Sequence, residues 1–205
     1  MFDIKLLNKI SKCGTDHFDH SVYNIGEDIE SPDAIMVRSA SMHDMKFDKN
    51  LKAIARCGAG VNNIPFDALA DDGIVVFNTP GANANGVKEL AIAALLLSSR
   101  SIVNGVNWAS SLTENVAKSS FAGCELKGKT LGVIGLGAIG GMVANIAFQL
   151  GMNVIGCDPF ITIEAAWRLS HHIKKAASFE EIYKNCDYIT MHVPSTKDTR
   201  HMINK

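Results

Sequence analysis

Apolar positions along this chain fall into short runs bounded by turn residues. Residues 4–7, 22–25, 34–38, 53–56 and 74–77 have the length and composition of strands, and residues 65–70 read as a helical turn between the last two. Strands alternating with turns and helices predict a small α/β layer structure around a parallel sheet. Pro80-Gly81 interrupts that pattern. Residues 87–103 then place Leu90, Ala91, Ala94, Leu95 and Ile102 at the spacing of one helical face, and a second helix is predicted over 106–118. A polar loop over 119–129 follows.

From Thr130 the order is strand, helix (138–150), strand (153–157), then a turn at Pro159. A helix near 163–169, a short strand at 173–175, a helix at 179–184 and a strand at 188–193 complete the series. This is half of a doubly wound sheet with one further strand begun. The division between the halves is expected on or beside the long helix, giving domains over residues 1–90 and 91–205.

Chemistry concentrates where the second half begins. Leu131-Gly132-Val133-Ile134-Gly135-Leu136-Gly137-Ala138-Ile139-Gly140 is an apolar strand running into G-x-G-x-x-G, and Asp158 closes the next apolar strand, 18 positions after Gly140. Each part has a mechanical task in dinucleotide binding. Gly135 permits the tight turn. Gly137 removes the Cβ that would block a pyrophosphate from the helix N-terminus, where free N–H groups and the helix dipole favour anionic oxygen. Gly140 lets the helix pack closely on the strand. Asp158 can accept hydrogen bonds from the adenine ribose hydroxyls. A carboxylate there repels a 2′-phosphate, and Pro159, Phe160 and Ile161 offer no cation to receive one, so NAD is favoured over NADP.

Composition narrows the setting. With 205 residues, 47% apolar and 20% charged, the chain can bury one large core or two small ones. A net charge of -1 gives no reason to expect nucleic acid or an anionic membrane as partner. No apolar run approaches a membrane span, and the N-terminus lacks the shape of a secretory signal. Cys13, Cys57, Cys124, Cys157 and Cys186 are scattered, with no C-x-x-C pair, which fits a reducing compartment; the cytoplasm is the expected location. No metal site is expected.

Three further segments make the pattern specific. Arg56-Cys57-Gly58-Ala59-Gly60-Val61-Asn62-Asn63-Ile64 and Phe77-Asn78-Thr79-Pro80-Gly81 precede the fingerprint, and His192-Val193-Pro194 follows it. This ordered set resembles the D-2-hydroxyacid dehydrogenases over essentially the whole chain. The Val37-Arg38-Ser39 step and residues 78–90 resemble the branch acting on 3-phospho-D-glycerate. The resemblance implies an α/β protein with a flavodoxin-like substrate domain and a Rossmann-type, doubly wound parallel NAD-binding domain, the latter incomplete. It implies NAD-dependent oxidation of a D-2-hydroxy acid, foremost 3-phospho-D-glycerate to 3-phosphooxypyruvate, which leads towards L-serine. It also implies that Arg38, Ser39, Gly58, Gly60 and Asn83 line the substrate side. Ala59, Ala138, Ile139, Asp158 and Val193 would line the cofactor side, with Gly135, Gly137 and Gly140 from the fingerprint. A homodimer through residues 87–118 is a further implication. Dehydrogenases of glycerate, lactate or glyoxylate, and a non-catalytic NAD-binding relative, share the pattern and stay open as alternatives.

The residues on the substrate side have their own physical sense. Gly58-Ala59-Gly60 suits either a tight turn or a nest of N–H groups holding a carboxylate. Arg38 ends a strand, as a solvated side chain or as a bidentate holder of phosphate or carboxylate, with the Ser39 hydroxyl assisting.

Oxidising a 2-hydroxy acid also needs a base, an orienter for it, and a cation on the carboxylate or carbonyl. The resembling family supplies these as His, Glu and Arg later than Lys205, so no catalytic residue is assigned and this chain is expected to show no turnover. His17 and His20 lack companions for a metal site, and the adjacent His171 and His172 cannot share one helical face. His192 closes a strand near the expected nicotinamide end; in the resembling family that position supports the cofactor loop. The strand at 188–193 is expected to leave an apolar edge able to pair with another chain.

Overall fold

The computed structural model describes residues 1–111 and 118–204. They form two compact units, Met1–Ala82 and Asn83–Lys205, each built on its own parallel sheet.

The first unit contains β1 (Phe2–Leu7), α1 (Lys12–Thr15), β2 (Tyr23–Gly26), β3 (Ala34–Val37), β4 (Ala53–Arg56), α2 (Phe66–Asp71) and β5 (Val75–Asn78). Its strand order, β2-β1-β3-β4-β5, is that of flavodoxin-like sheets. Ile35, Val37 and Ile54 on the central strands are buried and pack with Met42, Leu51, Ile64, Leu69 and Ile74. Crossing from β2 back to β3 reverses the winding direction between β1 and β3. That leaves a crevice at their carboxyl ends, the usual ligand position in open α/β sheets. The single turn α1 carries no sequence signal, because four residues with a central Gly14 have no periodicity.

The second unit opens with α3 (Ala84–Ser99) and α4 (Ile102–Ser111). The expected helix over 87–103 starts earlier and stops earlier, and its successor begins at Ile102 rather than 106. The cause is Ser101, whose φ of 50° is incompatible with a continuing right-handed helix, so the two rods meet at 68°. Residues 112–117 of the predicted second helix lie outside the described residues, and a 3-10 turn at Lys118–Phe121 occupies the start of the expected loop. Because α3 is one rod packed on α5 (Ala138–Gln149), the units divide before it, upstream of the expected boundary after residue 90. Among the described residues no single helix is long and apolar enough to cross a membrane.

The remaining elements are β6 (Thr130–Ile134), β7 (Asn153–Cys157), α6 (Ile163–Trp167), β8 (Lys174–Lys175), α7 (Phe179–Asn185) and β9 (Tyr188–Met191), in sheet order β8-β7-β6-β9. This is the first half of a Rossmann sheet. β6 is buried on both faces, which is why it reads as a continuous apolar run instead of an alternating one. Small buried residues on α5 (Gly140, Gly141, Ala144, Ala147) let the helix lie close on that strand. Ser178 caps α7 through the Glu181 N–H, and Glu181 accepts from the Ala177 N–H, anchoring the turn after β8.

Candidate functional site

At the carboxyl end of β6 the backbone turns sharply into α5. Gly135 has φ +86°, and a Cβ there would meet the His192 carbonyl oxygen at 2.7 Å and Val193 Cγ1 at 2.8 Å. Only glycine serves both the angle and the space. Gly140 is tighter still: its Cβ would stand 1.9 Å from the Gly135 oxygen. Gly137 differs in kind. Apart from its chain neighbours no protein atom lies within 4 Å of its missing Cβ, and as the N-cap of α5 it provides no side chain to the helix. Gly137 and Ala138 are exposed, whereas Ile139 packs its side chain on the core, leaving its N–H in the first turn. The first N–H groups of a helix have no partner within it. The result is an uncapped helix terminus facing open space, a backbone arrangement suited to an anion.

Asp158 stands beside this turn. Its Oδ2 accepts the Leu136 N–H at 2.8 Å and its Oδ1 the Phe160 N–H at 2.9 Å. Each oxygen retains a further acceptor position for a hydroxyl, so the acid is oriented by the glycine turn while still able to grip a diol. It borders a cleft of about 460 Å³ whose walls include Leu136, Pro159, Ile161, Leu169 and Ala177. An apolar slot next to a fixed carboxylate suits an adenosine. Lys174 and Lys175 also reach this cleft, from β8. Cations therefore do stand near the ribose position, supplied by the neighbouring strand and not by residues 159–161. They form no ion pair with Asp158.

Val193 sits against Gly135 and against the smaller apolar cluster around Ile134 and Ile182. His192 is half-buried, with its Nε2 3.0 Å from Thr190 Oγ1, and burial pushes its pKa below the ordinary imidazole value. His43 contacts the Asn62 carbonyl oxygen. Neither ring forms an ion pair with a carboxylate among the described residues.

In the first unit the expected substrate residues share one edge. Arg38 and Ser39 follow β3, Gly58, Ala59 and Gly60 follow β4, and the register pairs Val37 with Arg56 and Arg56 with Asn78. The glycine loop is held from β5, by Thr79 N–H on the Gly58 oxygen at 2.9 Å and Asn78 Nδ2 on the Ala59 oxygen at 2.8 Å. Arg38 is exposed. Arg56 is an addition that sequence reasoning passed over: its guanidinium lies where a Gly58 Cβ would be, donates to the Cys57 oxygen, and leaves Nε buried without a partner. Its position two residues before the glycine loop was the available signal. Asn83 belongs to the second unit, where it precedes α3 without capping it.

A half-Rossmann sheet with a bare helix terminus and an oriented acid defines a dinucleotide-binding α/β protein. Residues 92–205 match the family model for the D-isomer specific 2-hydroxyacid dehydrogenase, NAD binding domain. The chain is 39% identical over 182 residues to D-3-phosphoglycerate dehydrogenase of Methanocaldococcus jannaschii, covering 87% of this chain and 34% of that protein. Hydroxypyruvate reductase of Thermotoga maritima is 39% identical over 181 residues, covering 86% of this chain and 56% of that one. NAD+-bound 3-phosphoglycerate dehydrogenase of Entamoeba histolytica superposes with a TM-score of 0.73 at 28% identity, over 97% of this chain and 64% of that one. The chain belongs to the D-isomer specific 2-hydroxyacid dehydrogenase family, and residues 92–205 are that family's NAD-binding domain. It spans about a third of the length of the D-3-phosphoglycerate dehydrogenases it matches.

Two outcomes follow from this geometry. Gly137→Ala should leave the thermal midpoint unchanged yet weaken NAD binding at least about tenfold, because the new methyl occupies ligand space alone. Gly140→Ala should instead lose about 1–3 kcal/mol of stability by overpacking; unaltered NAD affinity in Gly137→Ala would refute the assignment. For His192, a folded-state pKa below the ordinary 6.5 means the unfolded chain binds the extra proton first. Its contribution to stability is complete above 6.5 and is lost as pH falls from there through the lowered folded-state value. Denaturant titrations should show wild type weakening more steeply than His192→Gln on acidification, and parallel curves would contradict this.

Proposed function

We propose that this chain carries the coenzyme site and part of the substrate site of an NAD-dependent dehydrogenase acting on 3-phospho-D-glycerate, a step towards L-serine, in the cytoplasm. The observation that carries the substrate reading is the pair of arginines, Arg38 and Arg56, at the ligand edge of the first sheet, one exposed and one with an unpartnered buried Nε. Guanidinium groups suit the bidentate geometry of phosphate and carboxylate. In the first unit the glycine loop would present the Ala59 and Gly60 N–H groups to the carboxylate end, the Gly58 N–H being held by the Arg56 oxygen, with Ser39 as a further polar contact. Val193 would border the coenzyme in the second unit.

The coenzyme, when bound, supplies hydride acceptance. This chain's own residues hold it: the Ala138 and Ile139 N–H groups for the diphosphate, Asp158 for the ribose hydroxyls, and the Ile161–Ala177 cleft for the base. Asp158 disfavours a 2′-phosphate, partly offset by Lys174 and Lys175. A second reading, an unphosphorylated 2-hydroxy acid, is favoured by the identity to hydroxypyruvate reductase, equal to that of the phosphoglycerate enzyme. The apolar side chains Leu90, Val103 and Val106, exposed on α3 and α4, support a homodimer through residues 87–118.

Calorimetric titration of the chain tests these readings. NAD should bind, and Asp158→Ala should weaken it roughly 10- to 100-fold, the worth of hydrogen bonds to a charged acceptor. 3-Phospho-D-glycerate should bind more tightly than D-glycerate, with the difference abolished in Arg38→Ala; equal affinities would favour the unphosphorylated substrate. Sedimentation velocity should show a dimer that Leu90→Lys with Val106→Lys converts to monomer. A wild-type monomer at tens of micromolar would remove the dimer proposal.

A further inference from the structure

Asn8 has no role in any reading above, yet it sits at a constrained point just past the end of β1. It is the residue after β1, with φ +76°, a backbone state that asparagine tolerates better than most residues other than glycine. Its side-chain Oδ1 accepts three consecutive backbone N–H groups: Arg38 at 3.2 Å, Ser39 at 2.9 Å and Ala40 at 2.9 Å.

The topology explains why this contact is needed. The β1–β3 ladder ends at Leu7 opposite Val37. Beyond it the two strands lead to opposite sides of the switch point, so no further ladder bond can hold the Arg38–Ala40 turn. The Asn8 amide takes over from the ladder there. At its far end the turn is tied again, by Asn63 Nδ2 on the Ala40 oxygen at 2.8 Å and by the Met42 N–H on the Asn63 oxygen at 2.8 Å. The Arg38 side chain between these anchors is exposed and has no ion partner among the described residues.

Three successive N–H groups converging on one point form the kind of concavity that binds anions. Filling it with a neutral amide oxygen satisfies the donors without placing a negative charge beside the guanidinium. We infer that Asn8 is a positioning residue for the anion site: it fixes the Arg38–Ser39 turn across the β1/β3 crevice and leaves the charge of Arg38 available to an anionic group of the substrate. The inference rests on the proposed role of Arg38 in holding a phosphate.

Substitutions can separate acceptor, backbone and charge. Asn8→Gly keeps the positive φ free of strain and removes the acceptor, whereas Asn8→Asp keeps an acceptor of the same shape. The probes are inorganic phosphate and 3-phospho-D-glycerate, titrated into the full chain and followed by amide NMR, with Arg38→Ala alongside. Asn8→Gly should shift the Ser39 and Ala40 amide resonances, speed their hydrogen exchange, and weaken both ligands about tenfold with the overall fold retained. Asn8→Asp should restore the amide positions and recover part of the affinity. If Arg38→Ala loses binding while Asn8→Gly retains it, or if Asn8→Asp leaves the Ser39 and Ala40 amides as displaced and as fast-exchanging as Asn8→Gly does, the positioning role is wrong. If Arg38→Ala binds like wild type, the anion site itself is wrong, and the role of Asn8 goes with it.

Discussion

The closest constraint in the second unit is the approach of α5 to β6. The Gly135 carbonyl oxygen lies where any side chain at Gly140 would begin, so the helix axis can come near the strand only with a bare backbone at that point. That approach places the first turn of α5 at the carboxyl edge of the sheet. Its N–H groups have no intrahelical partner and no side-chain cap. Packing of strand on helix and exposure of an anion site are thus two consequences of one contact. The open space at Gly137 is its complement, because the same helix is tight against protein at one glycine and clear of it at another.

Asp158 joins this arrangement to the next strand. Its carboxylate accepts the Leu136 N–H inside the glycine turn, so the acid and the loop set each other's orientation. The first unit uses comparable economy at its own switch point, where one amide oxygen from the end of β1 gathers three N–H groups from the end of β3. In both units a side chain bridges neighbouring parallel strands just past the ladder, where backbone pairing has run out. Polar groups bound in this way are preorganised for a ligand, which has less ordering to impose when it arrives.

Much of this was legible from residues alone. The short apolar runs bounded by turn residues marked the strands of both sheets, most clearly β6, which is buried along both faces. The glycine spacing marked the β6–α5 turn because steric exclusion acts on single residues and leaves its trace at fixed positions. What escaped were effects carried by distant or very short pieces. Ser101 breaks the α3–α4 run through a backbone angle that its side chain does not advertise. Lys174 and Lys175 enter the Asp158 cleft only because β8 pairs with β7, a neighbour relation that local sequence does not contain. Asn8 matters through contacts made across strands, which nothing in its own neighbourhood announces, and Arg56 through the space that the glycine loop beside it leaves open.

The most direct test of the account is a structure of the chain with NAD bound. A diphosphate oxygen should accept hydrogen bonds from the Ala138 and Ile139 N–H groups, with both ribose hydroxyls on Asp158 and the Leu136–Asp158 bond preserved. A coenzyme bound away from the α5 terminus, or with Asp158 turned from the sugar, would contradict it.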